Sequence, residues 1–122
     1  MAGFKDMTVY KRAFEMSRLV FHLSKRFPAE ERYSLTDQVR RSSRSVSAQS
    51  AEGYRKKRYP AHFVSKMTDC DGENAETQVW LDHAVACGYV SDTDIAPILV
   101  ISEEVGRMLG DMIEHPEKYG AV

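Results

Sequence analysis

Apolar residues recur along this chain at steps of three and four. Val9, Ala13, Met16, Val20, Leu23 and Phe27 keep that step, the period of one helix face. They predict a first helix over about residues 8–27. Pro28 follows and closes it, because the residue before a proline disfavours helical backbone. A second pattern runs from Leu35 to about Arg55. At about 100° per residue, Leu35, Val39, Ser42, Val46, Gln49 and Gly53 fall on one side. That inner face is small and polar, so a neighbouring helix can approach closely and the buried hydroxyls then need partners. A third pattern, over 60–87, lines up Phe63, Met67, Cys70, Asn74, Thr77, Leu81 and Ala84. Pro60 suits its first position and Gly88 its stop. A fourth, over 91–114, carries Ile98, Ile101, Val105, Leu109 and Met112. Ser91 and Asp94 have the spacing of a capping pair. Pro97 leaves a choice between one helix from Ser91 and a short turn before a helix that starts at Pro97. His115-Pro116 ends the pattern, and a loose tail is expected after it.

No segment alternates as a strand does. Four amphipathic helices on short connections predict an all-α fold, an antiparallel up-down four-helix bundle forming one domain over 1–122. Composition agrees. The chain has 122 residues, 43% apolar and 29% charged, enough to build a core and unlike a disordered chain. No apolar run approaches the roughly 20 residues of a membrane helix, and residues 1–12 lack the apolar stretch of a signal peptide. A cytoplasmic protein without membrane contact is expected. Cys70 and Cys87, on one helix, would stand about 25 Å apart, so two reduced thiols are expected.

Charge adds what hydrophobicity does not show. The net charge is only −1, yet residues 1–68 carry 15 basic and 6 acidic residues (+9), and residues 69–122 carry 2 and 12 (−10). Between Arg40 and Arg58, seven basic residues face the single acid Glu52. On an unbroken helix Arg40, Arg44, Arg55 and Arg58 lie within about 60° of one another, opposite the apolar stripe. Arg41, Lys56 and Lys57 lie nearby, and Tyr54 and Tyr59 interleave with them. Arginine's planar fork suits phosphate and tyrosine suits unpaired bases. Salt bridges to acidic helices of the same or a neighbouring subunit account for the arginines equally well. Trp80 sits within the acidic flank of Glu73 and Glu76, which suggests either a ring folded onto the core or an interface. Gln49, Asn74 and Thr77 are polar residues on apolar stripes and predict a core hydrogen-bond network fixing register, which Glu52 and Gln78 could extend.

Catalytic and metal-binding patterns are absent from the sequence. No Glu is followed by His three residues later, as carboxylate-bridged di-iron bundles require. There is no Gly-rich phosphate loop and no nucleophile elbow. No cofactor and no metal are expected.

The residues Phe27-Pro28, Glu31, Tyr33, Leu35, Gln38, Arg40-Arg41, Ser45-Val46 and Ala51-Glu52-Gly53, then Ala75-Glu76-Thr77-Gln78, Leu81, Ala84 and Gly88-Tyr89, resemble the bacterial four-helix-bundle family first noted in 23S rRNA intervening sequences. Val9-Tyr10-Lys11 with Ala13 is similar to that family's first helix. Gln49-Ser50 stand where members commonly carry Asn-Ile. The resemblance implies a four-helix bundle and, as its assembly, a ring-shaped homopentamer. It also points to the accessory protein of diversity-generating retroelements, a basic pentamer that associates with a reverse transcriptase and nucleic acid.

Together these readings predict a non-enzymatic, self-assembling module. It would bind RNA, DNA or a reverse-transcriptase-like enzyme through Arg40, Arg41, Arg44, Arg55 and Arg58, with Glu73, Glu76 and Trp80 as an interface. Two alternatives remain: a pure assembly scaffold whose arginines meet a neighbour's acids, and a small-ligand bundle with a pocket near Asn74 and Gln49.

Overall fold

The computed structural model describes residues 3–122. Four helices carry the fold: α1 (Thr8–Ser24), α2 (Leu35–Arg55), α3 (Pro60–Ala86) and α4 (Asp92–Glu114). Short 3-10 turns lie at Phe4–Asp6, Ala29–Glu31 and Pro116–Tyr119, and no strand occurs among the described residues. Each helix packs on two others, α1 on α2 and α4, α3 on α2 and α4. The four apolar stripes meet in one core, with Ala13, Met16, Val39, Val46, Phe63, Met67, Leu81, Val105 and Leu109 fully buried.

The α2/α3 seam is the closest. Ser42 meets Thr77, Val46 meets Cys70, and Gly53 meets Met67, so position rises on one helix as it falls on the other. A Cβ at Gly53 would stand 2.6 Å from the Met67 methyl carbon and 3.3 Å from Lys66 Cβ, so the two helices approach closely at this glycine. The Cys70 thiol donates to the Val46 carbonyl at 3.0 Å, and burial pushes its pKa up to about 12.

Helix ends follow their hydrogen bonds. α1 stops at Ser24 rather than running to Phe27. Arg26 N–H and Phe27 N–H reach back three residues, to Leu23 and Ser24, and the last turn tightens out of the α form. Phe27 stays in the core all the same. α3 ends at Ala86 in a Schellman arrangement. Tyr89 N–H bonds the Ala84 carbonyl, Gly88 N–H bonds the Val85 carbonyl, and Gly88 takes φ +77. α4 is one helix from Asp92, with Pro97 inside it and no break there. The reciprocal Ser91–Asp94 cap holds its start. The carbonyl that Pro97 leaves without its helical partner belongs to Thr93, and both residues are exposed, where solvent can reach it. No helix among the described residues is long and apolar enough to cross a membrane.

Candidate nucleic-acid interface

The basic residues of α2 divide among three surroundings. Arg40 and Arg44, one turn apart, lean towards α1. Their guanidinium carbons stand 4.7 and 5.8 Å from the centre of the Phe21 ring, and the Lys25 ammonium lies 4.8 Å from the same ring. Arg40 Nε also donates to Ser24 Oγ at 2.7 Å. None of these three cations has a carboxylate within ion-pair distance among the described residues. Each cation gains from the ring's negative face, but they repel one another, and a bound anion would relieve that repulsion.

Arg41 points the other way, across the α2/α3 seam. Its guanidinium donates to Glu73 at 3.0 Å and to Glu76. Trp80 Nε1 donates to the same Glu76 oxygen at 3.1 Å, and the indole packs against the core. Glu73, Glu76 and Trp80 are thus engaged inside the chain, with Arg41 as their partner.

Arg55 is the last residue of α2, about 16 Å along the axis from Arg44. Its guanidinium lies 5.9 Å from the Phe4 ring. Arg58 does not extend the helical row. Lys56 N–H and Lys57 N–H bond three residues back, Tyr59 is held extended ahead of Pro60, and Arg58 sits exposed in the turn between helices. The row of four expected on an unbroken helix is therefore a pair on Phe21 and two separate cations near the α2–α3 turn. Tyr54 is half-buried with the Lys57 ammonium 4.0 Å from its ring centre, while Tyr59 is exposed beside His62.

On the outer side of α2 an open groove of about 590 Å³ runs from Arg32 and Tyr33 past Arg40 and Arg44 to Ala48. Its one acid, Asp37, forms no ion pair among the described residues.

The core polar residues separate too. Thr77 Oγ1 shares a 2.9 Å hydrogen bond with Ser42 Oγ. Asn74 donates to the Ser102 carbonyl at 2.9 Å and accepts from Ser102 Oγ at 2.8 Å, and Gln78 Nε2 donates to that hydroxyl. Gln49 stands outside both clusters, and its buried Oε1 has no hydrogen-bond partner among the described residues. Glu52 pairs with Lys66, away from Gln78. Ser102 takes up both ends of the Asn74 amide.

The four-helix frame and the order of these motifs along it match a known family. The model of the 23S rRNA-intervening sequence protein covers residues 5–111. The chain belongs to this family. A solved relative in fold is a protein of unknown function from the S23 ribosomal protein family of Bacteroides thetaiotaomicron VPI-5482. It is 23% identical, covers 87% of this chain and 98% of its own, and superposes with a TM-score of 0.78. At that identity the likeness shows the fold alone. No curated protein matches the chain.

Within this 23S rRNA-intervening sequence protein frame, the α1 contribution was not foreseen. Phe21, Ser24 and Lys25 complete the Arg40/Arg44 cluster. The available signal was an aromatic residue on the polar side of α1, next to basic residues. Among the described residues no three His, Cys, Asp or Glu side chains are grouped to hold a metal ion.

Proposed function

We propose that this protein is a non-enzymatic, self-assembling nucleic-acid-binding module. In this reading it is a single domain whose helices alternate in direction, and it works in the cytoplasm. The falling and rising positions of the α2/α3 contacts support that alternation. One observation carries the binding: Lys25, Arg40 and Arg44 converge on Phe21 with no carboxylate partner among the described residues. A polyanion supplies the missing negative charge, and guanidinium forks suit its phosphates.

Salt titration tests this. If the cluster meets phosphates, log K for an oligonucleotide falls linearly with log salt, by about 0.7 to 0.9 per contact. Replacing Arg40 and Arg44 with Gln then flattens the slope by about 1.5. Binding that ignores both salt and these substitutions rejects the reading.

A second reading, pure assembly, has its own support. Arg41 already pairs with the α3 acids, and exposed Asp69, Asp71 and Asp82 on α3 make no ion pair among the described residues. The α1/α2 side of one copy would meet the α3/α4 side of the next. Solution mass then falls for Arg44→Glu, whereas under the first reading the assembly survives and only nucleic acid is lost.

A further inference from the structure

Tyr33 is 85% exposed, against 56% for Tyr59 and 53% for Phe14. An isolated exposed ring needs no explanation, but this one is not isolated. It forms one end of the α2 groove that holds Arg40 and Arg44. It also lines a second groove, of about 410 Å³, together with Trp80 and His83. Tyr33 thus borders both the arginine-lined groove and the groove lined by Trp80 and His83. The Arg32 guanidinium sits 5.4 Å from the Tyr33 ring centre, so the ring is covered by a cation on one side and otherwise faces solvent.

We infer that this surface takes single-stranded nucleic acid, with an unpaired base stacked on Tyr33 and neighbouring phosphates on Arg40 and Arg44. The inference rests on the nucleic-acid reading above and narrows it. Arg40 and Arg44 are one turn apart, about 6 Å along the axis, and both project from the helix that Tyr33 precedes. A single strand laid along the groove offers phosphates to the arginines and free base faces to the ring. A duplex keeps its base faces stacked on one another and leaves Tyr33 unused. Sequence reasoning placed stacking at Tyr54 and Tyr59, yet Tyr54 is half-buried and both lie at the other end of α2.

The test uses three probes by fluorescence anisotropy: an oligouridylate of about 12 nucleotides, an RNA duplex of the same length, and inorganic polyphosphate as competitor. Tyr33 makes little contact with the core, so Tyr33→Ala is expected to fold, checked by far-UV circular dichroism. Tyr33→Ala is expected to weaken oligouridylate binding by about five- to 100-fold, the effect of one lost stack, with duplex and polyphosphate affinities unchanged. Tyr33→Phe keeps wild-type affinity. Arg40→Gln with Arg44→Gln weakens all three probes.

If that double variant weakens binding while Tyr33→Ala does not, the single-strand inference is overturned and the polyanion reading stands. If Tyr33→Ala weakens the duplex as much as the single strand, the inference is overturned likewise. If neither variant changes binding to any probe, the polyanion reading falls and takes the inference with it.

Discussion

Asn74 is fully enclosed, and its amide is spoken for at both ends by Ser102 on the facing helix. Truncation to alanine removes both bonds, opens a small void, and leaves the Ser102 hydroxyl proton without its acceptor. Asn74→Ala is expected to cost about 2 to 3 kcal/mol. A shift in urea midpoint at unchanged slope measures it. Ser102→Ala in a double-mutant cycle should show coupling between the two. The polar residues on apolar stripes at Asn74 and Thr77 were visible in the sequence, because one hydrophilic position per turn stands out there. Their partners were not. Ser102 and Ser42 come from other helices, and periodicity along one helix says nothing about register between helices. Gln49 marks the same limit. Its place on the stripe was legible, but whether a partner would meet its side chain was not.

At the level of the helix, the start of α4 combines local and distant contacts. Ser91 and Asp94 cap each other, and Arg26 Nη2, arriving from the end of α1, donates to Asp94 at 3.1 Å. The Arg26 bond, then the Ser91 backbone and side-chain bonds, hold the Asp94 carboxyl at about 2, below its ordinary 3.8. A depressed acid stabilises the fold only while it is ionised. Its contribution is complete above about pH 4 and drains away as pH falls towards about 2. Glu31 behaves alike. Its carboxylate is lowered by bonds from Ser34, Tyr89 and the Leu35 N–H, which tie the start of α2 to the α3–α4 turn. Asp94→Asn should therefore flatten the loss of stability between about pH 4 and pH 2, read from urea midpoints across that range. The Ser91–Asp94 pair was readable because a cap is three residues wide. Arg26 was not, because it lies 68 residues away along the chain. The end of α1 and the place of Arg58 escaped for a related reason, although α2 itself ends at Arg55 as its pattern predicts. Apolar spacing continues to Phe27 while the hydrogen bonds change to a three-residue reach, and basic spacing continues to Arg58 after the helix has stopped.

For the molecule as a whole, packing order turns a division along the chain into a division across the bundle. α1 packs with α2 on the basic side and α3 with α4 on the acidic side. Arg12–Glu104, Arg26–Asp94 and Arg41 with Glu73 and Glu76 bridge the two sides where they touch. Partly exposed pairs of this kind add little stability, but they leave the remaining cations and anions sorted on opposite flanks. A particle so arranged has a strong transverse electric dipole although its net charge is −1. Near neutral pH it should be retained at low salt by both sulfonate and quaternary-amine resins, where an evenly charged particle of the same net charge would pass the sulfonate column. Beside any negatively charged body, torque turns the molecule to present its α1/α2 flank before contact is made.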